Sequence, residues 1–254
     1  MQILHSTIIG KGQPLLVLHG YFGMSDNWKS LGNKFAQYFE VHLIDQRNHG
    51  RSFHDDDFDY EILVEDLHYY IQYHQLKKVI LLGHSMGGKV AMLYAVTYSE
   101  QVEKLIVADI SPRYYKPHHQ EILEALNAVN FTIHTTRKKV EEVLKIYLQE
   151  PGVIQFLLKN VYWKSKDQLE FRFNLTSLTE NNSEVGEALP SFTHYNGSTL
   201  FLKGEKSDYI RKSDLPIIEA HFSNATVSTV SNAGHWLHAE NPGQFYKEVL
   251  KFLQ

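Results

Sequence analysis

Five short apolar runs, each followed by a polar residue or a glycine, are the clearest pattern along the chain. They are Leu15–Leu18, Val41–Ile44, Val79–Leu82, Leu105–Ala108 and Thr199–Leu202. The runs show no regular alternation of apolar and polar positions, which is typical of strands buried on both faces of a parallel sheet. A sixth strand is predicted at Ala225–Val230, close to the end of the chain.

Residues with helical spacing separate the strand candidates. Trp28, Leu31 and Phe35 lie on one helical face, and similar faces occur within residues 62–71 and 90–94. Strands that alternate with helices form βαβ units with right-handed crossovers. The pattern therefore predicts the α/β class, with a mostly parallel central sheet and helices on both faces. Ligands of such sheets bind at the carboxyl ends of the strands.

This alternation stops between residues 112 and 192, and no buried strand is indicated until Thr199. Three helical segments are predicted in the interval: Glu121–Val129, Lys138–Leu148 and Val153–Leu158. We therefore expect a core domain formed by residues 1–111 and 193–254, interrupted by a helical cap, or lid, at residues 112–192 that lies over the strand ends. The tyrosine and phenylalanine side chains of this cap suit core packing and the lining of a ligand pocket equally well.

The composition narrows the class of protein and its partners. There is no cysteine, which excludes disulfides, a thiolate nucleophile and cysteine-ligated metals. The net charge of −4, without a basic stripe, argues against nucleic acid as a partner. No apolar run approaches the ~20 residues of a membrane-spanning helix, and the first six residues lack the features of a secretory signal. We therefore expect a cytoplasmic protein without stable membrane insertion.

Residues 83–88 read Gly-His-Ser-Met-Gly-Gly and place Ser85 between a strand candidate and a helical run. This is the context of the Gly-x-Ser-x-Gly nucleophile elbow of α/β-hydrolases. A serine on such a turn has a strained backbone, and glycines two positions away relieve the crowding. The elbow also puts Ser85 at a helix N-terminus, where unpaired N–H groups favour a developing oxyanion. Ser85 is therefore the predicted nucleophile.

A serine nucleophile needs a general base, and 15 histidines are available. In α/β-hydrolases the acid and then the histidine follow the serine along the chain. His235 stands between the last predicted strand and a final helix that begins near Asn241 and Pro242. A histidine in that loop lies at the strand ends, beside the elbow. His235 is therefore the predicted base.

The acid that orients His235 has two candidates. Asp109 ends the strand after the elbow helix, whereas Asp208 follows the next strand, which is the commoner position for this role. Either carboxylate can orient the imidazole and stabilise its charged form. The residues alone leave both assignments open.

Two backbone N–H groups are predicted to form the oxyanion hole. Residues 19–23, His-Gly-Tyr-Phe-Gly, follow the first apolar run, and one donor of this fold comes from that loop. We expect the N–H of Tyr21 to act together with the N–H of Met86. No set of histidines and carboxylates beside the elbow resembles a catalytic zinc site, so we expect no metal.

Six motifs spread over nearly the whole chain resemble those of the YbfF-type bacterial esterases of the α/β-hydrolase superfamily. They are His-Gly-x-Phe-Gly at 19–23, Arg-Asn-His-Gly at 47–50, Gly-His-Ser-Met-Gly-Gly-Lys at 83–89, Asp-Ile-Ser-Pro at 109–112, Gly-Val-Ile-Gln-Phe-Leu-Leu-Lys at 152–159 and Ala-Gly-His-Trp-Leu-His-Ala at 233–239. The resemblance implies a helical cap, no cofactor, and hydrolysis of small-molecule acyl esters or thioesters. It also favours Asp109 as the acid, although Asp208 stands near the usual later position.

Other functions share parts of this pattern. Dehalogenases and epoxide hydrolases of this fold need an aspartate at the elbow, which Ser85 excludes. Synthases that eliminate pyruvate share the Ser-Met-Gly-Gly elbow and remain an alternative, as does a small-ligand receptor with little turnover. An intact Ser85 and His235 favour a serine esterase or thioesterase that forms an acyl-enzyme intermediate.

Overall fold

The computed structural model describes residues 2–254, so Met1, the first residue of the predicted core domain, lies outside the described part. The strands are β1 (Ser6–Gly10), β2 (Pro14–Leu18), β3 (Glu40–Ile44), β4 (Val79–His84), β5 (Val102–Ala108), β6 (Val161–Ser165), β7 (Gln168–Phe171), β8 (Ser198–Gly204) and β9 (Ala225–Val230). The α-helices are α1 (Lys29–Phe35), α2 (Tyr60–Tyr73), α3 (Met86–Thr97), α4 (Gln120–Asn127), α5 (Arg137–Tyr147), α6 (Pro151–Leu158), α7 (Leu175–Glu180), α8 (Leu215–His221), α9 (Leu237–Glu240) and α10 (Pro242–Leu253). Within residues 2–254, no helix is long and apolar enough to cross a bilayer.

Seven strands form one sheet in the order β1-β3-β2-β4-β5-β8-β9. The β1 strand pairs antiparallel with β3, and the other neighbours are parallel. All six strands expected from the sequence lie in this sheet, so the α/β class and the mostly parallel sheet are confirmed. The β1 strand was not predicted from the apolar pattern, because it is a five-residue edge strand whose side chains are half-buried or exposed.

Helices cover both faces of the sheet, which explains the unbroken apolar runs. In β2, Leu16 and Leu18 pack in a core with α2 and α3, whereas Leu15 and Val17 pack with α1 and α10 on the opposite face. Successive side chains of a strand point to opposite faces, so a strand covered on both sides needs an apolar residue at every position. Burying one such side chain contributes about 1.5–3 kcal/mol.

The segment between β5 and β8 contains α4 to α7 and the antiparallel hairpin of β6 and β7. The three helices expected from the sequence form here as α4, α5 and α6. The hairpin is missing from the sequence prediction because its strands are short and six of their nine residues are exposed or half-buried. Leu169 and Phe171 of β7 nevertheless pack into the same core as α2 and α3.

The carboxyl ends of the parallel strands lie along one edge of the sheet. The loop after β2 carries residues 19–23, and the turn after β4 carries Ser85. Asp109 follows β5, Ser207 follows β8, and His235 follows β9. The fold therefore gathers side chains from distant parts of the sequence at the edge where ligands of such sheets bind.

Candidate active site

Ser85 stands at the turn between β4 and α3, with backbone angles of φ 54° and ψ −119°. A positive φ is uncommon outside glycine and persists only where the surrounding structure enforces it. A Cβ on Gly83 would lie 2.1 Å from the carbonyl oxygen of Gly87, and a Cβ on Gly87 would lie 2.5 Å from that of Leu18. Only glycine fits at both positions, so the glycines allow the tight turn that presents the serine.

His235 lies in the loop between β9 and α9, and its ring joins Ser85 to Asp109. Its Nε2 is 3.0 Å from Ser85 Oγ, and its Nδ1 is 2.9 Å from Asp109 Oδ2. When Nδ1–H donates to the carboxylate, Nε2 is left to accept the serine proton. The ring of His84 also bonds the carbonyl oxygen of His235 at 2.8 Å and holds the loop in place. The three side chains thus form one hydrogen-bonded line.

Asp109 immediately follows β5, which lies between β4 and β8. Its backbone has a φ of 52°, and its N–H donates to the carbonyl oxygen of Leu202 at 2.8 Å. The carboxylate is fully buried. It accepts hydrogen bonds from the N–H of Gly204 at 2.9 Å and from the hydroxyl of Ser207, besides the bond from His235. The buried anion therefore has donors on several sides, as burial of a charge requires.

Asp208, the alternative acid, is exposed, and among residues 2–254 its side chain forms no ion pair with His235. Its two neighbours in sequence do reach the site. Ser207 donates to the Asp109 carboxylate. The ring of Tyr209 stacks on His235, with centroids 3.8 Å apart and planes 17° from parallel. The sequence analysis missed both residues, because the only signal was their position in a polar loop directly after a buried strand.

Burial shifts the pKa values of the histidine and the aspartate in opposite directions. Loss of solvent lowers the pKa of His235, so the imidazole is neutral at pH 7 and Nε2 can accept a proton. Burial raises the pKa of Asp109, while the hydrogen bonds from Ser207 and Gly204 act against that rise. The ionised form of Asp109 therefore depends on these donors.

The two predicted oxyanion donors lie close to Ser85. Met86 begins α3, so its N–H has no acceptor in a preceding helical turn. Tyr21 lines the same pocket as Ser85, in a loop that abuts the elbow: a Cβ on Gly20 would lie 2.8 Å from the ring of His84. Among residues 2–254, no protein group accepts a hydrogen bond from either N–H. Both N–H groups are therefore free to stabilise negative charge.

A pocket with about 520 Å³ of empty space, its open mouth included, lies beside Ser85 and His235. The segment between β5 and β8 contributes four of its lining residues, namely His119, Ile122, Val153 and Phe156. Within residues 2–254, no group of three histidine, aspartate or glutamate side chains is placed to hold a metal ion. A nucleophile, a base, an acid and two free N–H groups beside a largely apolar pocket are suited to acyl transfer.

Known proteins match this chain in both sequence and structure. The sequence model described as the alpha/beta hydrolase fold matches residues 13–143. An sn-1-specific diacylglycerol lipase of Danio rerio is 35% identical over 265 residues, which cover 100% of this chain and 83% of that relative. The esterase YbfF of Escherichia coli is 32% identical over 94% of this chain and 92% of its own length. The solved structure of a marine microorganism esterase is 40% identical, with a TM-score of 0.97 over 99% of this chain and 100% of that one.

Proposed function

Because the chain belongs to the α/β-hydrolase family, and is a carboxylic ester hydrolase, we propose that it cleaves small acyl esters through a triad of Ser85, His235 and Asp109. The observation that carries this proposal is the hydrogen-bonded line from Ser85 Oγ through the imidazole to the carboxylate. In this arrangement the imidazole removes the serine proton as the nucleophile attacks, which compensates for the weak acidity of a serine hydroxyl.

In the acylation step, Ser85 Oγ attacks the ester carbonyl carbon while its proton moves to Nε2 of His235. Asp109 keeps the ring in the required tautomer and stabilises the imidazolium. The carbonyl oxygen becomes an oxyanion that accepts hydrogen bonds from the N–H groups of Tyr21 and Met86, each worth about 10²–10³-fold in turnover. Collapse of the tetrahedral intermediate breaks the bond to the alcohol oxygen. That oxygen takes the proton from the imidazolium, and the alcohol leaves.

Deacylation repeats these chemical steps with water as the nucleophile. His235 removes a proton from a water molecule, and the resulting hydroxyl oxygen attacks the acyl carbon. The second intermediate collapses, Ser85 Oγ recovers the proton from the imidazolium, and the carboxylic acid leaves. Groups of this chain and water supply every proton and electron pair in the two steps.

In this proposal, residues 112–192 act as a lid domain over the core formed by the rest of the chain. Ile122, Val153 and Phe156 give the pocket beside Ser85 apolar walls, which favour acyl chains by burial. Acyl thioesters such as acyl-CoA are a second class of substrate. They form the same tetrahedral intermediate, and a thiolate leaves more readily than an alkoxide because a thiol is the stronger acid.

The proposal is tested with the Ser85→Ala variant, a panel of p-nitrophenyl esters and acyl-CoA species, and a fluorophosphonate probe. The variant should lose about 10⁴–10⁶-fold in turnover and should not be labelled, because no other hydroxyl is activated by His235. Ser25→Ala is the matched control, since Ser25 is buried and its hydroxyl has no hydrogen-bond partner in residues 2–254. This control should retain both activity and labelling.

Two results would contradict the proposal. A Ser85→Ala protein that keeps most of its ester hydrolysis would show that the triad is wrong. A folded wild-type protein that is neither labelled nor active on any ester or thioester of the panel would instead favour a small-ligand receptor.

A further inference from the structure

Two stretches of chain connect residues 112–192 to the rest of the molecule, and they run side by side as a neck. The outgoing stretch is 112–115 and the returning stretch is 186–189. The N–H of Tyr115 donates to the carbonyl oxygen of Gly186 at 2.7 Å, and the N–H of Leu189 donates to that of Pro112 at 2.9 Å. A Cβ on Gly186 would lie 2.0 Å from the carbonyl oxygen of Tyr115, so only glycine allows this close approach.

Lys89 lies in α3, one helical turn after the nucleophile, and its side chain is buried against the neck with 1% of the residue exposed. Its Nζ donates to the carbonyl oxygens of Pro112 at 3.2 Å and Arg113 at 2.7 Å, both on the outgoing stretch. It also donates to the carbonyl oxygen of Glu187 on the returning stretch. Three carbonyl oxygens thus satisfy the three N–H donors of one ammonium group.

Burial of this ammonium group costs free energy unless its hydrogen bonds are kept. Burial, together with the nearby charge of Arg113, lowers the pKa of Lys89 to about 7, and the charge of Glu187 acts in the opposite direction. The three carbonyl oxygens favour the charged form, and the ring face of Tyr115 lies 5.3 Å from Nζ. The lysine is therefore stable in this position only while both stretches of the neck remain in contact with it.

The same residue is bonded to the elbow. The backbone N–H of Lys89 donates to the carbonyl oxygen of Ser85 at 3.1 Å. One residue thus contacts the main chain of the nucleophile on one side and both stretches of the neck on the other.

We propose that Lys89 is a positioning residue that sets the place of the lid relative to Ser85 by holding both stretches of the neck against α3. This inference rests on the proposed role of residues 112–192 as a lid. Phe156 and His119 line the pocket from that segment, so movement of the neck displaces their side chains relative to the nucleophile. The triad residues lie outside the neck, and the neck is linked to them through the hydroxyl of Tyr115, which donates to the carbonyl oxygen of Tyr209 beside His235.

The test compares Lys89→Met with wild type. Methionine keeps an unbranched side chain that is one atom shorter and has no donor, so both stretches of the neck lose their bonds to Nζ. The ratio of kcat/KM for long and short p-nitrophenyl esters should change on the order of 10-fold or more, with KM rising, since displacements near 1 Å have effects of this size. The rate of Ser85 labelling by a small fluorophosphonate should change less than this ratio, because Lys89 Nζ bonds the neck and none of the triad side chains.

Lys104→Met is the matched control. Lys104 donates to the carbonyl oxygens of Phe252 at 2.8 Å and Leu253 at 3.2 Å, and its Nζ also lies 5.3 Å from an aromatic ring, that of Phe252. It therefore resembles Lys89 in its bonding but contacts the last helix instead of the neck. This variant should lower the melting temperature without changing the ratio between long and short esters.

Gly186→Ala provides a second route if Lys89→Met does not fold, because it displaces the neck while the lysine is kept. It should give the same shift in the ester ratio and faster amide hydrogen exchange at residues 113–116. An unchanged ester ratio in folded Lys89→Met or Gly186→Ala would overturn the inference, while Ser85-dependent hydrolysis would still support the proposed function. If the wild-type protein shows no Ser85-dependent ester hydrolysis, the proposed function is contradicted instead.

Discussion

At the scale of single residues, the carboxylate of Asp109 is built into a set of donors. The N–H of Gly204, the hydroxyl of Ser207 and Nδ1 of His235 all contact its two oxygens. A buried carboxylate without such partners would take up a proton and lose its ability to stabilise an imidazolium. The surroundings of Asp109 therefore suit the role of an acid that stays ionised, whereas exposed Asp208 has none of these contacts.

Asp109→Asn is expected to lower kcat by roughly 10⁴ with little change in KM. The amide nitrogen of an asparagine donates a hydrogen bond where a carboxylate oxygen accepts one from Nδ1–H, which favours the wrong tautomer of the imidazole. Asp208→Asn is the matched control and should remain close to wild type. Steady-state kinetics on one p-nitrophenyl ester measure both variants. An active Asp109→Asn beside a crippled Asp208→Asn would transfer the role of acid to Asp208.

Ser207→Ala is expected to move the acidic limb of the pH profile of kcat/KM to higher pH. The Ser207 hydroxyl donates to the charged form of Asp109 and lowers its pKa, so its removal lets the carboxyl take up a proton at a higher pH. A protonated Asp109 no longer supports the imidazolium. The profile is measured from pH 4 to 9, with Ser25→Ala as control. A profile identical to wild type would show that the hydroxyl does not influence the acid.

At the scale of elements, α6 contributes a side chain to the wall of the pocket, whereas Tyr162 of the hairpin formed by β6 and β7 does not line it. Phe156 of α6 lines the pocket, and its ring centroid is 5.8 Å from that of Trp236, which directly precedes α9. Tyr162 of β6 instead donates to Glu170 at 3.0 Å, and the guanidinium of Arg172 lies 4.4 Å from the centre of its ring. The helix thus forms a wall of the pocket, while this side chain of the hairpin packs within the hairpin.

Phe156→Ala is expected to raise kcat/KM for long p-nitrophenyl esters relative to short ones. Removal of the ring enlarges the space that the pocket offers to the acyl chain. Phe156→Trp should have the opposite effect. A methylene group in an apolar pocket typically changes kcat/KM by about 10-fold or more, so a shift in chain-length preference is measurable. Tyr162→Ala is the control and should lower stability alone. A set of Phe156 variants that never changes the chain-length preference would show that this residue packs the lid without selecting substrate.

At the scale of the whole molecule, the sheet brings five loops to one edge, and the proposed chemistry uses only their groups and water. The chain has no cysteine to bind a metal as thiolate. Within residues 2–254, no cluster of histidines and carboxylates is arranged as metal ligands.

Activity is therefore expected to survive exhaustive dialysis against EDTA. In the proposed mechanism the nucleophile is activated by His235 and the oxyanion is stabilised by backbone N–H groups, so a chelator removes nothing that either step requires. Hydrolysis of a p-nitrophenyl ester before and after dialysis is the measurement, with added Zn²⁺ as a further arm. A loss of activity that Zn²⁺ restores would contradict the expectation.

Much of the core was predictable from local pattern. The signal for the elbow is local, because the apolar run before Ser85, the glycines at 83 and 87 and the following helical run are neighbours in the chain. The close contact of Gly87 with Leu18, in contrast, joins distant parts of the chain. His235 was predictable for a related reason, since it lies between a strand and a helix that both have clear signals. The weakly amphipathic hairpin of β6 and β7 and the edge strand β1 gave no such signal.

Which of Asp109 and Asp208 lies beside His235, and which contacts Ser207, Tyr209 and Lys89 make, is visible only in the tertiary structure. Each depends on which strands are adjacent: β5 lies between β4 and β8, and this order brings the end of β5 under the loop that carries His235. Lys89 likewise donates to the carbonyl oxygens of residues 112 and 113 and to that of residue 187, and more than 70 chain positions separate the first two from the third. Local sequence records which face of an element is apolar, but contacts between distant loops arise from packing, and no local pattern contains that information.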